Sequence, residues 1–154
     1  MTEWDAAEKQ SKRVAAALRT RLAQRATHLA QRRVVNSFNK TERGALYERM
    51  AQDYLVRQGL TDIAQNVRAG GVELDLIMRA SDGTVVFVEV RARQSALFGG
   101  AAASVDWAKR RRLLRGASAW LLRWRGPTPP CRFDVVAIEQ GEVVWIQNAF
   151  GEYD

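Results

Sequence analysis

The chain has 154 residues with 47% hydrophobic and 27% charged, the balance of one globular domain able to bury a real core. It has no run of about 18 apolar residues, no apolar stretch behind its charged N-terminus and a single cysteine, Cys131; this excludes a transmembrane helix, a secretory signal, an internal disulfide and a cysteine-built zinc site, and predicts a cytoplasmic protein with no membrane partner. A net charge of +7 and a pI of about 10.3 make a polyanion the natural partner, nucleic acid first, because most of the excess is Arg, which pairs bidentately with phosphate and stacks on bases.

The first 35 or so residues are helical in composition, with no Gly or Pro before Gly44. Val14, Leu18, Leu22 and Leu29 leave a narrow apolar stripe among Arg13, Arg19, Arg21, Arg25, Arg32 and Arg33, the pattern of a basic arm that docks along one seam or frays. His28, the only histidine, has no second His or Cys near it, so a metal or nucleophile role lacks support. The stretch NSFNKT (36–41) marks a boundary between a basic helical extension, residues 1–40, and a domain over residues 41–154. Thr41 and Glu42 then cap a helix, RGALYERMAQDYLVRQG, that ends at Gly59. Leu46, Met50, Tyr54 and Leu55 form its apolar face; Glu48 lies on the same helix, where a lone Glu is ordinarily a solvated charge.

From Gly70 to Arg93 the sequence reads as a hairpin. Val72, Leu74, Leu76 and Met78 alternate with polar or apolar odd residues, as do Val86, Val88, Val90 and Ala92, so each strand turns one set to a core. Both sets share a face only if even residues pair with even ones, which requires an odd-numbered loop. A three-residue turn, Ser81-Asp82-Gly83, supplies it, with Gly83 left-handed. The register then sets Ala80 opposite Thr84, Ile77 opposite Phe87, Asp75 opposite Glu89 and Glu73 opposite Arg91. Two carboxylates directly opposed, with Cβ atoms about 5 Å apart, destabilise a sheet unless something offsets the repulsion. A proton, a neighbouring Arg or a divalent cation would do so. Convergent carboxylates, Asp75 and Glu89 with Glu73 beside them, are what Mg²⁺ or Mn²⁺ requires. On a basic surface such an ion serves phosphodiester hydrolysis, with Arg91 beside the scissile phosphate. The plainer reading is a solvated ladder of ion pairs, Glu73 with Arg91, supported by Arg79 and Arg93.

After the hairpin, ALFGGAAAS is a small-residue loop suited to lie near a substrate. The helix DWAKRRRLLRGASAWLLRWR follows, capped by Asp106 or Ser104. It buries Leu113, Leu114, Ala117, Trp120 and Leu121, and its cations Lys109, Arg110, Arg111, Arg112 and Arg115 form either a phosphate-contacting cluster or a solvated face. CRFDVVAIE and EVVWIQNAF form a second hairpin about Gln140-Gly141, in which Arg132 and Asp134 read as a structural pair.

Asp75 followed by Glu89-Val90-Arg91 resembles the D…(D/E)-X-K signature of the PD-(D/E)XK nucleases. The ordered set GALYERMAQDYLVRQG, NVRAGGVELDLIMR, VVFVEVRARQSALFGG, a Lys-bearing helix from Asp106 and RFDVVAI is similar to the YraN-type bacterial family, a Holliday-junction-resolvase-like group. The resemblance covers about Gly44 to the C-terminus. It implies an α/β, restriction-endonuclease-like core, a mixed β-sheet flanked by helices, here with an N-terminal helical extension. It implies metal ligation by Asp75, Glu89 and the Val90 carbonyl, an auxiliary acid at Glu48, and Gln94 as a polar helper. It further implies DNA, branched DNA above all, as substrate and a homodimer as assembly. Arg91 stands where the superfamily has Lys; it can stabilise phosphate charge but exchanges no proton near neutral pH. Val72 separates Gly71 from Glu73 where the family sets Gly directly before its acid. The expected function is therefore a metal-dependent endonuclease; the alternatives are a DNA-binding or adaptor protein on a nuclease fold, and a protein-interaction module that docks through its basic helix.

Overall fold

In the computed structural model the chain divides into two units, Met1–Asn39 and Lys40–Asp154. The structure describes residues 12–13, 15–27, 29–30, 38–93, 105–139 and 142–151. In the first unit the described residues between 12 and 30 are helical, and Leu18, Leu22 and Leu29 are each more than half exposed. His28 lies outside the described residues. No described helix is long and apolar enough to cross a membrane.

The second unit runs α1 (Lys40–Arg57), β1 (Thr61–Ala69), β2 (Val72–Arg79), β3 (Val85–Arg93), α2 (Trp107–Leu121), β4 (Cys131–Glu139) and β5 (Glu142–Phe150). Its strands form one mixed sheet in chain order. Neighbours pair antiparallel except at the centre, where β3 and β4 run parallel. Parallel neighbours need a crossover, and the segment bearing α2 makes it. This is the α/β class expected, consistent with a restriction-endonuclease-like core.

Local chemistry accounts for the elements. Helix α1 stops where Gly59 takes φ 94° and Leu60 N–H donates back to the Leu55 carbonyl at 3.1 Å, a turn that other residues adopt only with strain. It buries Ala51 and Leu55, four apart, against Leu76, Met78, Val86, Val88, Val136 and Ile138. Helix α2 starts at Asp106, whose side chain accepts the Lys109 N–H at 2.7 Å. It lays Leu113 and Ala117 on the opposite face, against Ile77, Val85, Phe87, Phe133, Val135 and Phe150. Gly116 brings α2 close to β2: a Cβ there would stand 3.2 Å from Leu74 Cδ2.

The β2–β3 turn is as expected: Ala80 N–H donates to the Thr84 carbonyl at 2.9 Å, Gly83 N–H to the Ala80 carbonyl at 3.0 Å, and Gly83 has φ 88°. Ile77 pairs with Phe87. Three features differ from the sequence reading. Residues 61–69, which alternation did not mark, form edge strand β1, with a register shift between Asp62 and Ala64 and Asn66 at φ 49°. Secondly, the even set of β2 does not share one face. Leu76 and Met78 pack towards α1, whereas Val72 and Leu74 pack towards α2. The changeover falls at Asp75. Thirdly, the face carrying Val85 and Phe87 is buried under α2, so Glu89 on it does not belong to a solvated ladder.

The β4–β5 hairpin forms as expected, and Arg132 and Asp134 are the structural pair, 3.0 Å apart. Asp134 is fully buried and also accepts from Trp145 Nε1 at 3.0 Å and from Asn148 N–H at 2.9 Å. That last donor is released by a register shift between Phe133 and Val135, where Asn148 takes φ 49°.

Candidate metal centre

The β2–β3 ladder ends at Leu76 and Val88. One residue further on, Asp75 and Glu89 come together where the strands cease to pair. Asp75 Oδ2 accepts the Val90 N–H at 2.8 Å, so a carboxylate occupies the place of a ladder carbonyl. In extended backbone the N–H and C=O of one residue face the same side of the strand; the Val90 carbonyl is accordingly expected on the β2 side of β3.

Glu89 lies on the α2 face and is only 6% exposed. Its Oε1 takes Lys109 Nζ at 3.1 Å and Arg91 Nε at 3.5 Å. Its Oε2 is buried and has no hydrogen-bond partner among the described residues. A buried acceptor left bare costs roughly 1–3 kcal/mol, more when charged. Asp75 shares the strain. Burial, first, and the Glu89 charge, second, push its carboxyl up to about 7, against the pull of the Val90 N–H and of Lys109; Glu48 on α1 adds a small upward push.

These groups suit a divalent cation. A bare buried oxygen and a neighbouring carboxyl that holds its proton near neutrality would both be relieved by one. Among the described residues no group of three His, Cys, Asp or Glu gathers to hold a metal. Two carboxylates and a carbonyl are still a sufficient protein share for Mg²⁺, which keeps several waters and takes few carboxylates.

The other expected site residues divide. Glu48 faces the site through its charge alone. Glu73 is not brought to it: it pairs with Arg68 across β1–β2, half-exposed and 3.8 Å from that guanidinium, because the ladder with β3 ends before position 73. Its expected partner, Arg91, sits beside Glu89 instead. Arg93 closes β3 opposite Glu139, and Gln94 and the loop ALFGGAAAS lie outside the described residues. The cations of α2 do not form one outward cluster. Lys109 turns inward to Glu89, and Arg110 Nε donates to the Val105 carbonyl at 2.9 Å with its guanidinium over Phe150. Arg115 Nε donates to the Gly70 carbonyl at 2.9 Å. Arg111 and Arg112 are exposed, Arg111 lying over Trp107, itself 63% exposed.

Lys109 is the site residue that sequence reasoning placed elsewhere, in the phosphate-contacting run. Its signal was in the spacing: it stands four residues before the buried Leu113, on the inward face of α2.

Comparison with known proteins places this arrangement in a family. The chain is 54% identical over 107 residues to the UPF0102 protein of Burkholderia ambifaria, an alignment covering 70% of this chain and 75% of that one. It is 53% identical over 114 residues to the UPF0102 protein of Cupriavidus necator, covering 74% and 86%. With the UPF0102 protein of Burkholderia thailandensis it shares 47% over 135 residues, covering 84% and 93%. The profile of the uncharacterised protein family UPF0102 matches residues 47–138, from α1 through β4. The chain therefore belongs to UPF0102, the YraN-type family that its motifs resemble.

Proposed function

We propose that this protein is a metal-dependent endonuclease that hydrolyses phosphodiester bonds in DNA, with branched DNA its preferred substrate. The observation that carries the reading is the buried Glu89 Oε2 beside Asp75, an acceptor with no donor among the described residues of a basic protein. Asp75, Glu89 and the Val90 carbonyl would hold Mg²⁺ or Mn²⁺. The ion, when bound, supplies a Lewis acid for the phosphoryl oxygen and lowers the pKa of a coordinated water. Asp75 gives up its proton as the ion enters, so uptake weakens as pH falls through about 7. Arg91 offers charge to the phosphate without exchanging a proton. Arg111 and Arg112, exposed on α2, contact the DNA backbone and position it. Preference for branched DNA rests on the family resemblance alone.

Arg91 in place of Lys favours a second reading, a DNA-binding protein that does not cut. One gel series separates the two: duplex, single-stranded, flapped and four-way DNA, with Mg²⁺ or Mn²⁺, scored for binding and cutting by wild type and Asp75→Ala. Cutting that vanishes in the variant establishes the nuclease. Binding without cutting, unchanged in the variant, establishes the second reading.

A further inference from the structure

Two cations stand beside Glu89, and they are not equivalent. Lys109 Nζ lies 3.1 Å from Glu89 Oε1, closer than Arg91 Nε at 3.5 Å. Lys109 also acts on Asp75 through its charge. The ammonium therefore bears on both acids. Lys109 comes from α2, on the far side of the crossover, and its side chain keeps about a quarter of its surface exposed. An unbranched stem with that much freedom can swing from the acids to solvent without unpacking the helix.

We propose that Lys109 is a built-in counter-cation of the Asp75–Glu89 pair, which competes with the divalent ion for the site and yields it when a phosphate draws the ammonium away. The proposal rests on the metal reading above and adds its regulation. Its physical ground is simple: an ammonium in contact with a carboxylate ligand repels a doubly charged ion entering beside it, and in a buried setting that repulsion outweighs whatever order the lysine lends to Glu89. The protein alone would then bind the ion weakly, and a phosphodiester would raise the affinity by supplying the ammonium with a new partner. Metal and substrate would load together. That keeps a DNA-cutting site largely unloaded when no DNA is present.

The test is Mn²⁺ titration of the full-length protein without DNA, followed by magnetic resonance of the free ion, for wild type, Lys109→Gln, Lys109→Arg and Arg91→Gln. The glutamine removes the charge and keeps an amide donor on a stem one bond shorter, and thermal melting of each metal-free variant checks that it folds. Lys109→Gln should bind Mn²⁺ about tenfold more tightly or better. Lys109→Arg should stay within about threefold of wild type, and Arg91→Gln should gain less than Lys109→Gln. Adding a short uncleavable phosphorothioate duplex should tighten Mn²⁺ binding by wild type and leave Lys109→Gln little changed. Equal Mn²⁺ affinity in wild type and Lys109→Gln, or weaker binding in the variant, overturns the counter-cation role while leaving the metal site standing. No Mn²⁺ binding by any variant overturns both. Tighter Mn²⁺ binding by Lys109→Gln, together with a wild type that never cuts DNA, upholds the counter-cation and removes only the nuclease.

Discussion

Two buried acids sit on neighbouring strands of this sheet and live opposite lives. Asp134, on β4, is fully buried, and each of its oxygens is filled: Oδ1 by Arg132 Nε and the Asn148 N–H, Oδ2 by Arg132 Nε and Trp145 Nε1. Glu89, on β3, is nearly as buried, but both of its cationic neighbours crowd Oε1 and leave Oε2 bare. A saturated buried carboxylate ties elements of the fold together. An unsaturated one lacks the compensation that burial demands.

Substitution sharpens the contrast, and Asp134→Ala should have the largest effect. It strands the Arg132 guanidinium, the Trp145 indole and a backbone N–H together, and urea denaturation should show a loss of about 3–5 kcal/mol. Asp75 comes next, and its effect depends on pH. Its carboxyl titrates near pH 4 in an unfolded chain and near 7 in the fold. The folded state thus holds an extra proton between those values, and stability of the metal-free protein falls as pH rises from 4 to 7. Above 7 the full penalty, up to about 4 kcal/mol, is present. Asp75→Asn should flatten that slope in a pH series of melts, and saturating Mn²⁺ should flatten it in wild type. If Asp75→Asn keeps the slope, the strain lies elsewhere and the contrast with Asp134 fails. Glu89→Gln should change metal-free stability by less than about 1 kcal/mol, because Lys109 can turn to solvent, yet abolish Mn²⁺ uptake. Arg112→Gln should be the mildest, within about 0.5 kcal/mol in stability. Its trace, if α2 contacts DNA, is a salt slope of binding lowered by about one.

Much of this was written in local pattern. Alternation and the Ser81-Asp82-Gly83 turn fixed the β2–β3 register as far as Leu76 and Val88, and set Asp75 beside Glu89. Asp106 as a cap and Arg132 with Asp134 as a pair were equally readable. What escaped was set by partners distant in sequence. β1 is an edge strand with an irregular register, so its alternation is blurred. The changeover of faces at Asp75 follows from α2 lying on Val72 and Leu74 through Gly116, which no period of two can announce. Glu73 went to Arg68 because an extended pattern does not say where a ladder stops. Lys109 was hidden in a run of four cations, where charge counts equally at every position and only the distance to Leu113 tells inward from outward.

The parallel pairing of β3 with β4 has a consequence in time. The β2–β3 hairpin closes over a short turn and can form early from neighbouring residues, whereas Val85 meets Cys131 only after α2 and its flanking segments have been brought round. In the folding chain Asp75 and Glu89 thus meet before the helix that delivers their ammonium has docked. Until then the two carboxylates oppose each other without it, and a divalent salt should quicken the first step of folding more than the last.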